Sequence, residues 1–475
     1  MRKIRDGTWL VFGRAAGILA PFLVTPLAAR VLSKEELGVW ALIQVVTGFA
    51  AIFQDGGLGH YVIRHASYNR EMRSMVRLCG LLVGVFVGLA VVAISVPITF
   101  ALDIGGYWDL LIPMSGVYAF GGLSGILAAE LRRRTLFKRL FVATAIPALL
   151  AAAASIFLLW GNFGLWTFPI AALLSAAGQL LILLVSTERT SLRWEGKLVR
   201  EIVGYTRGLI GFDLVNYWAR KLDDVLIGRF IGTSGLAIYA NAYRLMMLPI
   251  NQVISVLNPL ILPYMAEKRN DLAACRMELF GFLRVIGVLA FPPMTFLWLE
   301  RELIIRLYLG PGWEEVSDIL VWFAPLGMLQ CMVNPLGNCY LITGRNDRFF
   351  WMGVANTVIV VTGFLCGLPF GVVGVAVGYF IANLIMLVPN VHVALRTLEG
   401  GFIAWLRHTW ILWLIPLVGS ASILVRDEFL PLGKVLLSTF VTGGMGLILL
   451  RKWYAGEIKQ LMNFGIGRLQ RWRAK

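Results

Sequence analysis

The segment NYWARKLDDVLIGRFIGTSGLAIYANAYRLMMLP, residues 216–249, places charged side chains inside a run that is otherwise apolar enough to span a membrane. On a helical wheel with about 100° per residue, four polar side chains lie within roughly 40° of one direction and three flank them: Asp213, Tyr217, Arg220 and Asp224, and then Asn216, Lys221 and Asp223. A lone charge at mid-bilayer costs about 2.5–3.5 kcal/mol on insertion scales. We therefore expect the stripe to face a protein interior or a water-filled cavity rather than lipid.

Composition places the whole chain in the membrane class. Of its 475 residues, 58% are hydrophobic and 15% are charged. Apolar stretches of about 20 residues follow one another with short joins, and they predict an all-α polytopic membrane protein with about 14 transmembrane helices. Because the joins are too short to form a separate domain, binding or chemistry is expected among the helices.

The positive charges indicate the orientation of the chain. With the N-terminus inside, roughly 31 of the 43 Lys and Arg residues fall on the cytoplasmic side, as the positive-inside rule requires. An even number of helices returns the C-terminus to the cytoplasm, so both termini are expected there. The net charge of +16 then marks topology, and no nucleic-acid partner is expected because the basic residues are distributed among inner loops.

An internal repeat is visible at a constant offset. RVLSKEELGVWA begins at Arg30 and RFIGTSGLAIYA begins at Arg229, and both segments follow an apolar run and start another. Leu37 matches Leu236, and Trp40 matches Tyr239, without a gap. The repeat predicts two six-helix lobes related by a pseudo-twofold axis along the membrane normal, plus two C-terminal helices. Chance similarity between short apolar segments is the alternative.

Domain boundaries follow from this division. They are residues 1–185 for the N-terminal lobe with helices 1–6, 186–206 for a cytoplasmic linker with an amphipathic segment, 207–392 for the C-terminal lobe with helices 7–12, 393–450 for helices 13–14, and 451–475 for a basic amphipathic cytoplasmic tail. In the linker, Trp194, Leu198 and Ile202 share one side, which is expected to lie on the inner leaflet.

Two local patterns give more limited predictions. Glycines at four-residue spacing, such as Gly80, Gly84 and Gly88, predict close helix packing rather than a ligand site. Glu130 precedes the basic run at residues 132–134, which favours a local ion pair. The cysteines and histidines lack metal-ligand spacing and there is no P-loop, so neither a metal site nor nucleotide hydrolysis is expected.

Three motifs resemble those of a known family. RKLDDVLIGRFIGTSGLAIYANAYRLMMLP (220–249), ARVLSKEELGVWAL (29–42) and DGGLGHYVIRH (55–65) are similar to segments of the MOP superfamily polysaccharide and lipopolysaccharide exporters, the Wzx-type flippases of O-antigen or of colanic and teichuronic acid repeat units. The charged Lys221–Asp224 run, and His60 with Tyr61, depart from the usual family pattern. These departures leave the fine substrate specificity open.

The resemblance implies a function and a set of partners. A flippase of this kind moves a polyprenyl-diphosphate-linked oligosaccharide across the bacterial inner membrane by alternating access, for surface polysaccharide biosynthesis. Its partners are the lipid-linked oligosaccharide and membrane lipids, with a polysaccharide polymerase and a chain-length regulator as candidates. No cofactor is expected, and coupling to H⁺ or Na⁺ stays open.

The substrate dictates the residues to consider. Arg and Lys can bind diphosphate or acidic sugars, and carboxylates can serve as their counter-charges. The candidate cavity residues are Arg14, Asp213, Tyr217, Arg220, Lys221, Asp223, Asp224, Arg244 and Arg284, with Asp55 and Arg64 as secondary candidates near the inner end of helix two. For each of these residues, a structural ion pair between helices is the alternative role.

Two other functional classes stay open. One is another MOP-type transporter, either a lipid II flippase or a cation-coupled multidrug exporter. A resemblance to the cation-coupled drug exporters would imply a carboxylate in the first helix, as part of their ion site. This chain has Arg14 in that helix instead, which argues against such an ion site. The other is a membrane polysaccharide polymerase or ligase. A resemblance to those enzymes would imply a large outer loop, and the joins in this chain are short. No catalytic residue is therefore assigned, and the chain is not expected to be an enzyme.

Overall fold

The computed structural model describes residues 22–65, 68–421 and 431–452, together with Gly456. In these residues the regular structure is helical, and there is no β-strand. Contacts divide the chain into two compact units, with the boundary between Ala237 and Ile238. The predicted tail at 451–475 lies almost entirely outside the described residues, as do Arg14 and most of the first predicted helix.

Most of the helices that begin before the boundary are 20 residues or longer. They are α1 (Phe22–Val31), α2 (Lys34–Asp55), α3 (Leu58–Arg64), α4 (Arg70–Ala101), α5 (Leu111–Arg133), α6 (Phe137–Trp160), α7 (Thr167–Ser186), α8 (Gly196–Phe230) and α9 (Thr233–Glu267), which crosses the boundary. Short 3-10 helices precede α5 and α7, at Gly105–Leu110 and Gly164–Trp166.

The second unit continues with helices that include several short segments. They are α10 (Leu272–Leu299), α11 (Arg301–Tyr308), α12 (Glu315–Val333), α13 (Gly337–Thr343), α14 (Asn346–Gly367), α15 (Gly371–Arg396), α16 (Phe402–Thr409), α17 (Leu414–Ala421) and α18 (Pro431–Lys452). Short 3-10 helices lie at Asn334–Leu336, Leu368–Phe370 and Trp410–Trp413.

Ten helical segments in the described residues are long and apolar enough to cross a membrane. The chain is therefore an all-helical, multi-pass membrane protein, as its composition predicted. The segment Asn346–Arg396 contains both α14 and α15, so segments and helices do not correspond one to one. The number of fourteen helices and the two-lobe symmetry stay predictions.

The second helix shows how the sequence sets helix ends. Ser33 caps α2: its hydroxyl accepts a hydrogen bond from the Glu36 N–H at 3.1 Å, and the Ser33 N–H donates to the Glu36 carboxylate at 2.9 Å. At the other end Gly56 and Gly57 both have positive φ, at 48° and 71°, where a side chain would be strained. The helix therefore ends at these glycines, and α3 begins as a separate helix.

The repeated glycines pack helices closely, as predicted. A Cβ atom at Gly84 of α4 would lie 2.6 Å from the carbonyl oxygen of Tyr118 in α5, and one at Gly88 would lie 2.5 Å from that of Ser115. In the second unit, a Cβ atom at Gly363 of α14 would lie 2.5 Å from the carbonyl oxygen of Gly378 in α15. Only glycine allows these backbones to approach so closely.

Glu130 forms a buried ion pair with a distant residue and not with its neighbours, so the prediction of a local pair was wrong. Arg77 of α4 donates through Nε and Nη2 to the two Glu130 oxygens at 2.9 and 2.6 Å, and the two side chains are only 5% and 3% exposed. Tyr68 adds a hydrogen bond to the same carboxylate at 2.9 Å. The arginines that follow Glu130 are used elsewhere: Arg133 donates to the carbonyl oxygen of Val62 at 2.7 Å.

The same cluster holds the segment that follows α7. Arg77 Nη1 donates to the backbone carbonyl oxygen of Glu188 at 2.8 Å. The Glu188 carboxylate pairs with Arg73 at 2.6 Å and with Arg134 at 2.5 Å, and these hydrogen bonds, first that from Arg134, lower its pKa to about 2. Burial and the Glu130 carboxylate raise the pKa of the Tyr68 phenol, which keeps it a neutral donor. We call Tyr68, Arg73, Arg77, Glu130, Arg134 and Glu188 the ion-pair cluster.

The predicted linker is continuous with the charged helix. α8 begins at Gly196 and continues without a break to Phe230. Ile202 is 4% exposed and packs with Leu58, Met75 and Ile126, and Leu198 packs against the same group. Leu198 and Ile202 were expected to lie on the inner leaflet, and they are covered by protein instead, because α3, α4 and α5 offer them an apolar surface. Trp194, the third residue of the predicted apolar side, is 59% exposed.

Candidate functional site

The charged helix α8 packs along α2. Tyr217 donates a hydrogen bond to the backbone carbonyl oxygen of Val45 at 2.5 Å, and a Cβ atom at Gly48 would lie 2.6 Å from the Tyr217 hydroxyl oxygen. Nearer the C-terminal end of α8, a Cβ atom at Gly228 would lie 2.6 Å from the Leu42 side chain. Small residues at these positions therefore bring the two helices close together and fix the rotation of α8 about its axis.

Aromatic rings reinforce this contact. The ring centroid of Phe49 in α2 lies 6.2 Å from that of Tyr217 and 5.5 Å from that of Trp218. Trp218, expected on the apolar side of α8, is 43% exposed on its other faces. The predicted division of α8 into a polar and an apolar side is therefore only partly followed, because Phe49 contacts residues from both.

One turn further along α8, a cation and two carboxylates lie together. The Lys221 ammonium donates to the Asp224 carboxylate at 2.6 Å. Asp223 and Asp224 are each 8% exposed, whereas the Lys221 side chain is 39% exposed. A buried carboxylate is costly without a cation or hydrogen bonds, and Lys221 supplies the cation for Asp224. The Lys221 ammonium is therefore partly accessible, whereas its partner is buried.

The other predicted site residues are distributed over both units. Asp213 of α8 and Arg64 of α3 are exposed. Arg244 of α9 and Arg284 of α10 belong to the second unit; Arg244 is exposed, and Arg284 Nε donates to the Phe280 carbonyl oxygen at 3.3 Å. Arg14 and the side chains of Asp55 and Arg220 lie outside the described part. Of the predicted site residues on α8, the structure pairs Lys221 with Asp224.

Two ion contacts of α8 were not expected from the sequence. Glu201 accepts hydrogen bonds from the Tyr61 hydroxyl at 2.9 Å, and its carboxylate lies 3.0 Å from His65 Nε2. At the other end of α8, Arg229 pairs with Asp103, which follows α4. The motif at residues 55–65 includes Tyr61 and His65, and the repeat includes Arg229. Nothing in the sequence marked their partners, Glu201 and Asp103.

The described residues include no group of three or more His, Cys, Asp or Glu side chains that could hold a metal ion. The α8 side chains form an ion pair, Lys221 with Asp224, and a hydrogen bond from Tyr217 to α2. Such an arrangement can exchange one anion for another at Lys221, because a phosphate or carboxylate from a ligand can replace the Asp224 oxygen.

Comparison with known proteins gives relatives that include proteins named for polysaccharide or lipopolysaccharide biosynthesis. The chain is 25% identical to the succinoglycan biosynthesis transport protein ExoT of Rhizobium meliloti over 362 residues, 74% of this chain and 72% of that protein. It is 22% identical to the lipopolysaccharide biosynthesis protein WzxC of Escherichia coli over 202 residues. That alignment spans 42% of this chain and only 41% of WzxC.

Solved structures share the fold. The lipid II flippase MurJ, in an inward closed conformation, matches with a TM-score of 0.76 over 96% of this chain and 100% of its own, at 16% identity. An inward-facing multidrug resistance MATE family transporter of the MOP superfamily matches with a TM-score of 0.63 over 80% and 94% of the two chains, at 15% identity. At these identities the likeness establishes the fold and not the substrate.

The family is established by a match to the family as a whole. The polysaccharide biosynthesis protein family matches residues 27–318, which is more than half of the chain and includes α8. The resemblance to polysaccharide exporters that the motifs predicted is thereby confirmed. The chain belongs to the polysaccharide biosynthesis protein family.

Proposed function

We propose that the protein is a flippase that moves a polyprenyl-diphosphate-linked oligosaccharide repeat unit across the bacterial inner membrane. The observation that carries the proposal is the charged segment of α8, with two buried carboxylates and an accessible lysine inside a helix of a family whose members serve polysaccharide biosynthesis. The roles for which two relatives are named, succinoglycan transport and lipopolysaccharide biosynthesis, support it. A diphosphate and its sugars are too polar to cross about 30 Å of hydrocarbon unaided.

The site acts by exchanging anions in this proposal. A substrate phosphate binds Lys221 and displaces the Asp224 carboxylate, so the positive charge is neutralised both before and after binding. In the empty site Asp223 and Asp224 balance the two cations of the segment, Arg220 and Lys221, and Arg220 stays as the counter-charge for Asp224 once the substrate holds Lys221. Arg14, Arg220, Arg244 and Arg284 are further cations for the diphosphate and for acidic sugars, with Asp213 and Asp55 as counter-charges and Arg64 at the inner edge.

Alternating access between two lobes is part of the same proposal, and a repeated contact supports it. Arg77 and Arg276 are separated by the same offset as Arg30 and Arg229. Arg77 donates to the backbone carbonyl of Glu188, after α7. Arg276 donates to the backbone carbonyl of Leu398 at 2.7 Å and to that of Glu399, after α15. In each half, the arginine therefore holds the chain where it leaves the sixth predicted helix.

The fold alone leaves room for the related transporters. MurJ and the MATE transporter share this fold, so lipid II and a drug cation are the alternative substrates against which the proposed substrate is tested. The family match favours the polysaccharide precursor. We place both termini in the cytoplasm, with the polymerase and the chain-length regulator as candidate partners on the substrate pathway.

The proposal is tested by export of surface polysaccharide in cells, normalised to folded protein. Lys221→Ala should reduce export roughly tenfold or more, because a charge-assisted hydrogen bond is worth about 1.5–3 kcal/mol, and Lys221→Glu should reduce it further. Arg132→Gln, which removes an exposed charge at the end of α5, is the matched control and should export normally. Normal specific export by Arg220→Ala and Lys221→Ala combined would remove the substrate role from α8.

A purely structural role for the pair has a different signature. If Lys221 serves only to neutralise Asp224, its loss lowers the amount of folded protein, and Asp224→Asn in the same chain restores it. If Lys221 binds substrate, the double variant folds but still fails to export.

A further inference from the structure

The first turns of α8 have two different faces. Ile202 and its neighbours pack on α3, α4 and α5, as described above. About 160° from Ile202, the opposite face presents exposed Lys197, Arg200, Gly204 and Arg207. Gly204 leaves open space, since a Cβ atom there would meet nothing within 4 Å. We call these four residues the α8 basic stripe.

The stripe differs from the basic residues that hold the fold together. Arg73, Arg77 and Arg134 bind carboxylates or carbonyls in the ion-pair cluster, and Arg276 binds two carbonyls in the second unit. Among the described residues, the three cations of the stripe form no hydrogen bond or ion pair. Their charges are therefore available to a ligand that approaches α8 from solvent or from the headgroup layer.

α8 is not among the ten segments of the described residues that are apolar enough by composition to cross a membrane. In the proposed flippase it crosses the membrane, and its length then sets the depth of the stripe. At about 1.5 Å per residue, the 35 residues of α8 extend roughly 50 Å, whereas the hydrocarbon core is about 30 Å thick. If the Phe230 end lies at the outer surface, about 20 residues bring the helix to the inner surface near residue 210. Arg207 then lies at the inner headgroup layer, and Arg200 and Lys197 lie about 10 and 15 Å further into the cytoplasm.

This spacing decides between two kinds of phosphate ligand. The headgroup layer of one leaflet is only about 5–8 Å thick, so phospholipid phosphates reach Arg207 but not Lys197. A lipid-linked oligosaccharide has a diphosphate at the headgroup level and a glycan that extends from it. Cations at both levels fit a glycan that itself carries negative charge.

We propose that the α8 basic stripe is the capture site for the substrate at the inner leaflet, with Arg207 binding the diphosphate and Arg200 and Lys197 binding acidic groups of the glycan. The inference rests on the proposed function and adds to it that the substrate is an acidic glycan. Capture leads directly to the charged segment, because both belong to the same helix. Gly204 leaves room for the glycan to approach the helix backbone.

The experiment uses the full chain in phosphatidylcholine vesicles and measures flipping of a polyprenyl-diphosphate-linked oligosaccharide against its concentration. Two probes are compared: one with a uronic acid, and the same compound with its carboxyl group reduced to the alcohol. Lys197→Gln combined with Arg200→Gln should raise the half-saturating concentration roughly tenfold or more for the acidic probe only, and leave the maximal rate unchanged. Arg207→Gln should raise it for both probes.

Controls separate the causes. Arg70→Gln combined with Arg132→Gln removes two other exposed charges and should leave the half-saturating concentration unchanged. Raising the salt concentration should weaken capture by the wild type, because salt screens exposed charges. It should have little effect on the variant that lacks all three stripe cations. Identical half-saturation in wild type and stripe variants would overturn the capture site.

Two further outcomes also decide the matter. If the stripe variants differ from wild type only after phosphatidylglycerol is added to the vesicles, the stripe binds phospholipid and the proposal is wrong. If the wild type moves neither probe, the proposed flippase function fails, whereas flipping by the wild type with unaltered stripe variants refutes only the capture site.

Discussion

Removing the carboxylate of Glu130 should destabilise the N-terminal unit strongly. Glu130→Gln keeps the size of the side chain but leaves the Arg77 guanidinium buried without its counter-charge. The wild-type carboxylate accepts bonds at 2.9, 2.6 and 2.9 Å from Arg77 Nε, Arg77 Nη2 and Tyr68. Breaking a buried pair by removing one partner costs about 3–5 kcal/mol. For a unit of this size, that corresponds to a fall in the unfolding midpoint of roughly 10 °C.

The assay is thermal unfolding of the purified protein in detergent. Glu188→Gln is the matched control: it removes ion pairs with Arg73 and Arg134 at an exposed site, where solvent screens charge, and its fall should be much smaller. Combining Glu130→Leu with Arg77→Met removes both buried charges and should recover much of the loss. A midpoint for Glu130→Gln within about 1–2 °C of wild type would refute the energetic role of this pair.

Three further predictions concern other parts of the molecule. Tyr217→Phe removes the hydrogen bond to the Val45 carbonyl and should lower unfolding stability by about 1 kcal/mol; an unchanged midpoint would contradict the packing of α8 on α2. The pKa of Glu188 is lowered from 4.5 to about 2, so its ion pairs stabilise the fold above pH 4.5 and this contribution is lost as the pH falls from 4.5 towards 2. Protease cleavage of the segment after α7 should rise over that range in the wild type, and Glu188→Gln should abolish this pH dependence. Thr190→Cys should react with a membrane-impermeant thiol reagent only from the cytoplasmic side, and labelling from outside would reverse the proposed orientation.

Features that depend on local pattern could be predicted from the sequence. Apolar run length indicated a multi-pass helical protein, and glycine spacing indicated close packing that Gly84 and Gly88 confirm. The charged stripe identified α8 as unusual before any contact was known. These properties depend on composition and helical periodicity, which a single segment contains in full.

Contacts between distant segments could not be predicted in the same way. Glu130 has arginines three and four residues away, yet it binds Arg77, because α4 and α5 bring that side chain to it and Arg133 and Arg134 have other partners. The apolar side of the linker around Ile202 suits either lipid or protein, and only the arrangement of neighbouring helices decides between them. For the site, the sequence identified Tyr217 but could not show that its hydroxyl donates to the Val45 carbonyl oxygen of α2.

The most direct test of the account is transport by the purified protein in vesicles. Polyprenyl-diphosphate-linked oligosaccharide is placed in one leaflet, and its arrival in the other is measured for the wild type and for the combined Arg220→Ala and Lys221→Ala variant, each normalised to folded protein. The account predicts rapid transfer by the wild type and transfer near the protein-free rate by the variant. No transfer by the folded wild type, or equal transfer by both proteins, would contradict the claim that α8 moves a lipid-linked glycan.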